Sequence, residues 1–454
     1  MDNNHTQKAL LIIHPSKGHI NAVRNLVKIL KEKYLLAVCG AAIGKIEMEV
    51  FNSTVFGLNS MPAGQGFEYF LCQNDGKYDY LCELKMRKSM SLFKSRAPVL
   101  TSILEHWKPD IIFIDILYNT DLLVIRNWLE GKSIKVFLIR IKPCLMRRKY
   151  TIPSVYNAIF KNNFQSNVLW GIFNLKKAMK ANFDYIRFQG YDNVSMLHKI
   201  RKLLPFSSEL MIRSKNVVGV NIGKYPQLVL LPKEFEFGNY LPSPDEHYLG
   251  FQYNSPIPSG IDVSFNDVIQ KVVRLRSEGQ KIITISFGSL YEKFFNEINT
   301  ILDKLDRCLP LLSCDVHVIV VGKFNDHKMV IKNVDSSRLV EAPLKDLLQY
   351  SDLHICHGGI NTIKDCLFSY TQMLIFPLNK NWDQPGNAAK VEYHGLGIAS
   401  FTKVKIKTLY SQLAFLLNNF NKSAFDKFIK LEKDVYGDGR IKEMLNFYNY
   451  GAEI

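Results

Sequence analysis

The sequence predicts an α/β protein made of two doubly wound domains, and three observations carry that prediction. Short apolar runs alternate with helix-length amphipathic stretches, from "KALLIIH" at 8–14 to "QMLIFP" at 372–377. A Pro- and Gly-rich stretch, "LPSPDEHYLGFQYNSPIPSGID" at 241–262, separates two such series. The length of 454 residues, 47% of them hydrophobic, suffices to bury two cores. The expected division is an N-terminal domain over 1–240, a C-terminal domain over 241–435, and a closing helix over 436–454 that crosses back to the first domain.

In the first series the expected strands are 8–14, 34–40, 110–115 and 134–140, with helices near 20–33, 85–106 and 120–130. In the second they are 281–287, 316–322, 337–342, 352–356 and 372–377, again with helices between. Parallel sheets of this kind place ligands outside the carboxyl ends of their strands. Residues that follow a strand are therefore where chemistry is sought.

Composition narrows the class. The longest apolar runs fall short of the ~18 residues a spanning helix needs, so no transmembrane segment is expected. The N-terminus lacks the pattern of a signal peptide, and the expected compartment is the cytoplasm. Eight scattered cysteines without a C-x-x-C pair point to reduced, mostly buried thiols rather than disulfides or zinc. The net charge of +16 is concentrated: residues 140–215 hold fifteen Lys or Arg against Asp184, Asp192 and Glu209. Phe160, Phe164, Trp170 and Phe173 interleave with these cations, which suits an anionic membrane surface or a greasy acceptor better than an RNA groove. A solvated face reads equally well from the charges alone. No nucleic-acid motif is present, and no nucleic-acid partner is expected.

The stretch "DLHICHGGINTIKDCLFSY" at 352–370 reads as a strand, a glycine turn and a helix starting near Gly359. Unpaired N–H groups at such a start bind phosphate oxygens, and Gly lets them approach the backbone. Asn361 and Thr362 add donors, Asp365 offers an acceptor for ribose hydroxyls, and His357 can hydrogen-bond a diphosphate. By itself a strand followed by "HGG" also describes a mere tight turn. Further along, "FPLNKNWDQPGNAAKVEYHGLG" sets Asp383 and Gln384 before a helix that Pro385 can enter at its first turn. An Asp followed by a Gln suits adjacent sugar hydroxyls.

The joint pattern resembles the donor-binding signature of the UDP-glycosyltransferases that modify small molecules, a family with the two-domain GT-B fold. The resemblance extends to "SFGSL" at 286–290 and to "HPSKGHINAVRNLVKIL" at 14–30, and is slight over 140–215. It implies His357, Gly359, Asn361 and Thr362 on the diphosphate with Ser289 beside them, Asp365 on the ribose, and Asp383 and Gln384 on the sugar. It also implies His19 as general base, oriented by Asp115. Histidine is the side chain that titrates nearest neutrality, so it can take a hydroxyl proton at cellular pH. Attack opposite the leaving group would invert the anomeric centre, moving a hexose, glucose first, from a UDP-sugar to a small, partly apolar acceptor. No D-x-D motif occurs, and no metal or other cofactor is expected.

Three departures stand out. "VEAPLKD" has Glu341 before Pro343 and Leu344 after it, where the family often has an aromatic residue and a Pro-Gln pair; Ala22 replaces a frequent Pro, and Asp365 a usual Glu. UDP and TDP donors both stay open. Other readings are a membrane-associated glycolipid or carotenoid sugar transferase, a catalytically idle nucleotide-sugar-binding partner, and a sugar-nucleotide epimerase.

Overall fold

Seven parallel strands form the first sheet of the computed structural model, which describes residues 6–41, 51–74, 77–207, 210–213, 221–223, 225–252, 263–288, 292–322 and 331–449. They are β1 (Lys8–Ile12), β2 (Leu35–Ala41), β3 (Thr54–Leu58), β4 (Ile111–Asp115), β5 (Lys135–Arg140), β6 (Gln227–Val229) and β7 (Glu246–Tyr248). Their order is β7-β6-β5-β4-β1-β2-β3, so the winding reverses between β1 and β4. There Ala9 pairs with Ile111 and Ile12 with Ile114. The six strands of the second sheet are β8 (Lys281–Ser286), β9 (Val316–Val321), β10 (Ser336–Leu339), β11 (Leu353–Cys356), β12 (Gln372–Ile375) and β13 (Gly397–Ala399). They run β10-β9-β8-β11-β12-β13, all parallel, and reverse between β8 and β11. Each reversal opens a crevice at the strands' carboxyl ends.

Every strand foreseen in the sequence is present within a few residues. Four strands of these two sheets were missed: β3, whose Gly57 weakens its strand signal, and β6, β7 and β13, which are three residues each. β7 lies beyond residue 240, and Glu246–Tyr248 completes the first sheet by pairing with β6. Its charged residue is there for a buried partner. Arg140 Nη1 donates to Glu246 Oε1 at 2.7 Å and to Gln227 Oε1 at 3.0 Å, while Nη2 donates to Tyr248 Oη at 3.1 Å. Arg140 therefore belongs to the interior and not to a solvated basic face. Removing one partner of such a buried pair costs roughly 3–5 kcal/mol.

The helix expected over 85–106 is two, Tyr80–Ser89 and Ser91–Trp107, broken where Met90 adopts φ 51°. Helix α1 (Lys17–Lys33) turns Ile20, Val23, Leu26, Val27 and Leu30 to the first sheet, the 3- and 4-residue spacing of an amphipathic helix. Ile441, Met444 and Leu445 of the last helix, Asp438–Asn449, join the same core. Burying each such side chain contributes about 1.5–3 kcal/mol. The chain's end thus clamps the first domain. No helix among the described residues is long and apolar enough to cross a membrane.

Candidate active site

A cleft of ≈ 1710 Å³ lies between the two sheets, lined from one side by the turn after β1 and from the other by the turns after β11 and β12. His19, Asp383, Gln384, His357, Gly359, Asn361, Thr362 and Asp365 all line it. Asp115 lies just behind His19. Ser289 falls outside the described residues.

On the first side, β4 ends at Asp115, whose carboxylate is buried and satisfied by several donors. Oδ2 accepts a short hydrogen bond from His19 Nδ1, and Oδ1 accepts from the Leu117 amide at 3.0 Å. The His14 amide donates to Oδ2 at 3.4 Å. Burial pushes this carboxyl up, but the charge and hydrogen bond of His19 with the Leu117 amide outweigh it and hold it below its ordinary value. Asp115 stays ionised. With Nδ1 committed to it, His19 keeps Nε2 as its remaining nitrogen. The neighbouring His14, ring centroid 5.0 Å from that of His19, is pushed down to about 4 by burial and by the charge of His19. It is neutral at cellular pH.

On the second side the chain leaves β11 through Gly358, at φ +85°, and enters helix α2 (Ile360–Phe368). A Cβ on Gly358 would lie 2.8 Å from Ile375 Cγ2, so this turn requires glycine twice over. Gly359 is the N-cap and brings no side-chain acceptor, so no side chain of the N-cap satisfies the first-turn amides. His357 packs between Gly288 and Gly359, whose Cβ positions would come within 3.1 and 2.8 Å of its ring. Its Nδ1 is buried without a hydrogen-bond partner, and burial lowers the ring's pKa to about 4. A buried, unpaired ring nitrogen of this sort costs free energy unless something fills the cleft.

Two expected donor contacts have protein partners. Asn361 Nδ2 donates across the cleft to the Gly18 carbonyl at 2.7 Å, and Gln384 Oε1 accepts from the amides of Leu378 and Asn379, both at 2.9 Å. Gln384 thereby fixes the turn after β12, leaving only its amide nitrogen for a ligand. Asp383 accepts from Asn387 at 3.3 Å and faces Lys142 Nζ at 3.6 Å. Burial raises its pKa, but the charge of Lys142 and hydrogen bonds from the backbone, Asn387 and Lys142 together outweigh this and hold it below its ordinary value. Asp365 goes the other way, raised to about 6 by burial in spite of Lys364 and Lys345.

Sequence reasoning missed Lys142, His14 and the apolar wall of Phe67, Phe70 and Leu71. Lys142 follows β5 by two residues, so the rule that ligands sit at strand carboxyl ends would have flagged it. The wall rests on a five-residue helix, Phe67–Leu71, with no motif to find. Glu341 lies outside the cleft and pairs with Lys17 at 3.3 Å, while Ala342, Pro343 and Leu344 line it instead of an aromatic platform.

Residues 282–433 match the family model for the glycosyltransferase family 28 C-terminal domain. Among curated proteins, a zeaxanthin glucosyltransferase of Pantoea ananas is 38% identical over 72 residues, 16% of each chain. One of Pseudescherichia vulneris is 39% identical over 69 residues, 15% of this chain and 16% of its own. These alignments thus span about a sixth of either relative. Among solved structures, the glycotransferase of kitacinnamycin superposes with a TM-score of 0.60 at 14% identity, over 97% of this chain and 99% of its own. The glycosyltransferase VinC in complex with dTDP also reaches 0.60 at 14% identity, over 98% and 100%. Spinosyn rhamnosyltransferase SpnG complexed with thymidine diphosphate reaches 0.58 at 13%, over 97% and 100%. The chain thus has the GT-B fold over nearly its whole length and carries a glycosyltransferase family 28 C-terminal domain in its second half.

Proposed function

We propose that the protein is an inverting hexosyltransferase that moves a sugar from a pyrimidine nucleoside diphosphate to a hydroxyl of a small, partly apolar acceptor. The observation that carries this reading is the buried His19–Asp115 pair facing the uncapped start of α2 across one cleft. Asp115 holds the imidazole so that Nε2 takes the acceptor proton as the hydroxyl oxygen attacks the anomeric carbon. The bond to the β-phosphate oxygen breaks on the opposite face, and an α-linked donor yields a β-glycoside. The α2 amides, His357 and the nearby Lys293 meet the charge on the departing diphosphate, so no metal is invoked. Asp383 and Gln384 position the sugar, and Asp365 accepts from the ribose.

Glucose is the first choice of sugar, a choice supported by the glucosyltransferase names of the curated relatives. UDP is the first choice of nucleotide, with TDP the competitor because structural neighbours carry thymidine diphosphate. Phe67, Phe70 and Leu71 support an apolar acceptor. The test is donor turnover: the protein is incubated with UDP-glucose and TDP-glucose, with a panel of hydrophobic alcohols and phenols, and nucleotide release is followed together with the glycoside. Release that needs an acceptor and yields a β-glycoside supports the reading. Epimerised donor, or binding without turnover across the panel, overturns it.

A further inference from the structure

One helix of the first domain carries an apolar face that nothing among the described residues covers. α-Helix Asn163–Arg187 is 25 residues, about 37 Å long, and only Ser166 and Trp170 along it are buried. These two fasten it to the body: Ser166 Oγ and Trp170 Nε1 both donate to the Thr151 carbonyl, at 2.6 and 3.0 Å. On the opposite side Phe164, Val168, Ile172, Leu175, Met179 and Phe183 follow one another at steps of three or four residues. They fall within about 100° of the helix circumference. Phe164 is 78% exposed, Leu175 and Met179 each 63% and Phe183 62%, where side chains of a helix packed on a core would be near zero. A water-facing stripe of this length costs solvation free energy unless it has an occupant.

The charges around the stripe say which occupant. Lys161, Lys176, Lys180 and Arg187 stand on or beside the helix, and its one acid, Asp184, is already paired with Lys180 at 3.1 Å. Two such helices brought face to face would set cations against cations. An anionic lipid surface accepts both the stripe and its flanks. The helix also connects to the mouth of the cleft. Arg187 Nη2 donates to Tyr78 Oη at 2.9 Å, the Tyr78 ring lies 5.0 Å from that of Tyr69, and the next residues, Phe70 and Leu71, line the cleft while remaining half-exposed.

We propose that the 163–187 helix lies in the headgroup region of an anionic phospholipid bilayer, apolar stripe inward, and presents the acceptor side of the cleft to that surface. The helix is too polar to span a bilayer, so it binds in the plane. This surface is independent of the transfer chemistry, and it is tested without any sugar donor. The full chain is sedimented with vesicles of phosphatidylcholine alone and of phosphatidylcholine with phosphatidylglycerol in equal parts, at rising salt. Binding to the anionic vesicles that weakens with salt is expected. Replacing the exposed Leu175, Met179 and Phe183 with Asp should reduce it by at least about tenfold with the melting temperature unchanged. Lys176→Gln and Lys180→Gln should each reduce it about fivefold. Absence of binding, equal binding to neutral vesicles regardless of salt, or a triple variant that binds like the wild type overturns the proposal. So does a wild-type dimer that the triple variant dissociates, which would make the stripe a contact between copies of this chain. Should the triple variant lose its helix content, the two Lys→Gln variants and the salt series decide alone.

Discussion

The two sides of the cleft arise from the same strand order and yet are built from opposite materials. The β1/β4 side depends on a buried side-chain pair, His19 on Asp115, locked by backbone amides before any ligand arrives. The β11/α2 side depends on exposed backbone N–H groups, two glycines with no room for a Cβ, and a His357 nitrogen that nothing satisfies. The difference fits the roles that the proposed function gives the two sides. A base needs one tautomer and one orientation, which low dielectric and a fixed carboxylate provide. A diphosphate needs many donors and close approach, which only an open, uncapped helix start offers.

The comparison is broken most severely by His19→Ala, expected to lower turnover with an alcohol acceptor by about 10²–10⁴-fold. Donor affinity, measured by calorimetry, should stay within about twofold, since the donor contacts lie on the other side. Loss of both together would merge the two roles. Gly358→Ala strikes the opposite side: a left-handed φ and the Ile375 contact should destabilise the fold by about 1–3 kcal/mol, read as a lower melting temperature. A variant as stable as the wild type would refute the required glycine.

Asp383→Ala should raise the donor KM by roughly tenfold and lower kcat, because the sugar loses the contact that orients its anomeric carbon. Lys142→Met should give a smaller change in the same direction, since Lys142 acts on the sugar side through Asp383. A larger effect from Lys142 would mean that it touches the diphosphate itself.

The pH dependence of donor binding sharpens the contrast further. Asp365 has its folded pKa raised to about 6, so it is protonated below that pH and loses its strength as a ribose acceptor. Donor affinity should fall as pH drops through about 6, and Asp365→Asn should flatten that limb. The stability sign is opposite: a carboxyl whose folded pKa exceeds its unfolded value weakens the fold as pH rises through about 6. At pH 7 Asp365→Asn should therefore melt no lower than the wild type while binding donor less tightly. The smallest effect is reserved for Lys17→Ala. It removes a pair with Glu341 that is exposed on both sides, and stability should change by less than about 1 kcal/mol.

The sequence alone determined the alternation of strands and helices, the two parallel sheets, and the turns where ligands belong. Those features are local: an apolar run of strand length, a Gly pair before a helix, an Asp-Gln-Pro at a helix start act within a few residues of one another. It could not reveal that Glu246 completes the first sheet, because a charged three-residue strand has no periodic signal and its carboxylate pairs with Arg140, 106 residues away. Nor could it show that Asn361 reaches the Gly18 carbonyl, that Lys142 faces Asp383, or that Gln384 spends its oxygen on its own turn. Whether a polar side chain is free for a ligand depends on which neighbours the folded chain brings within hydrogen-bond distance. The same holds for the stripe on the 163–187 helix, since an amphipathic pattern says that one face seeks an apolar partner, and only tertiary packing decides that this face points to the outside.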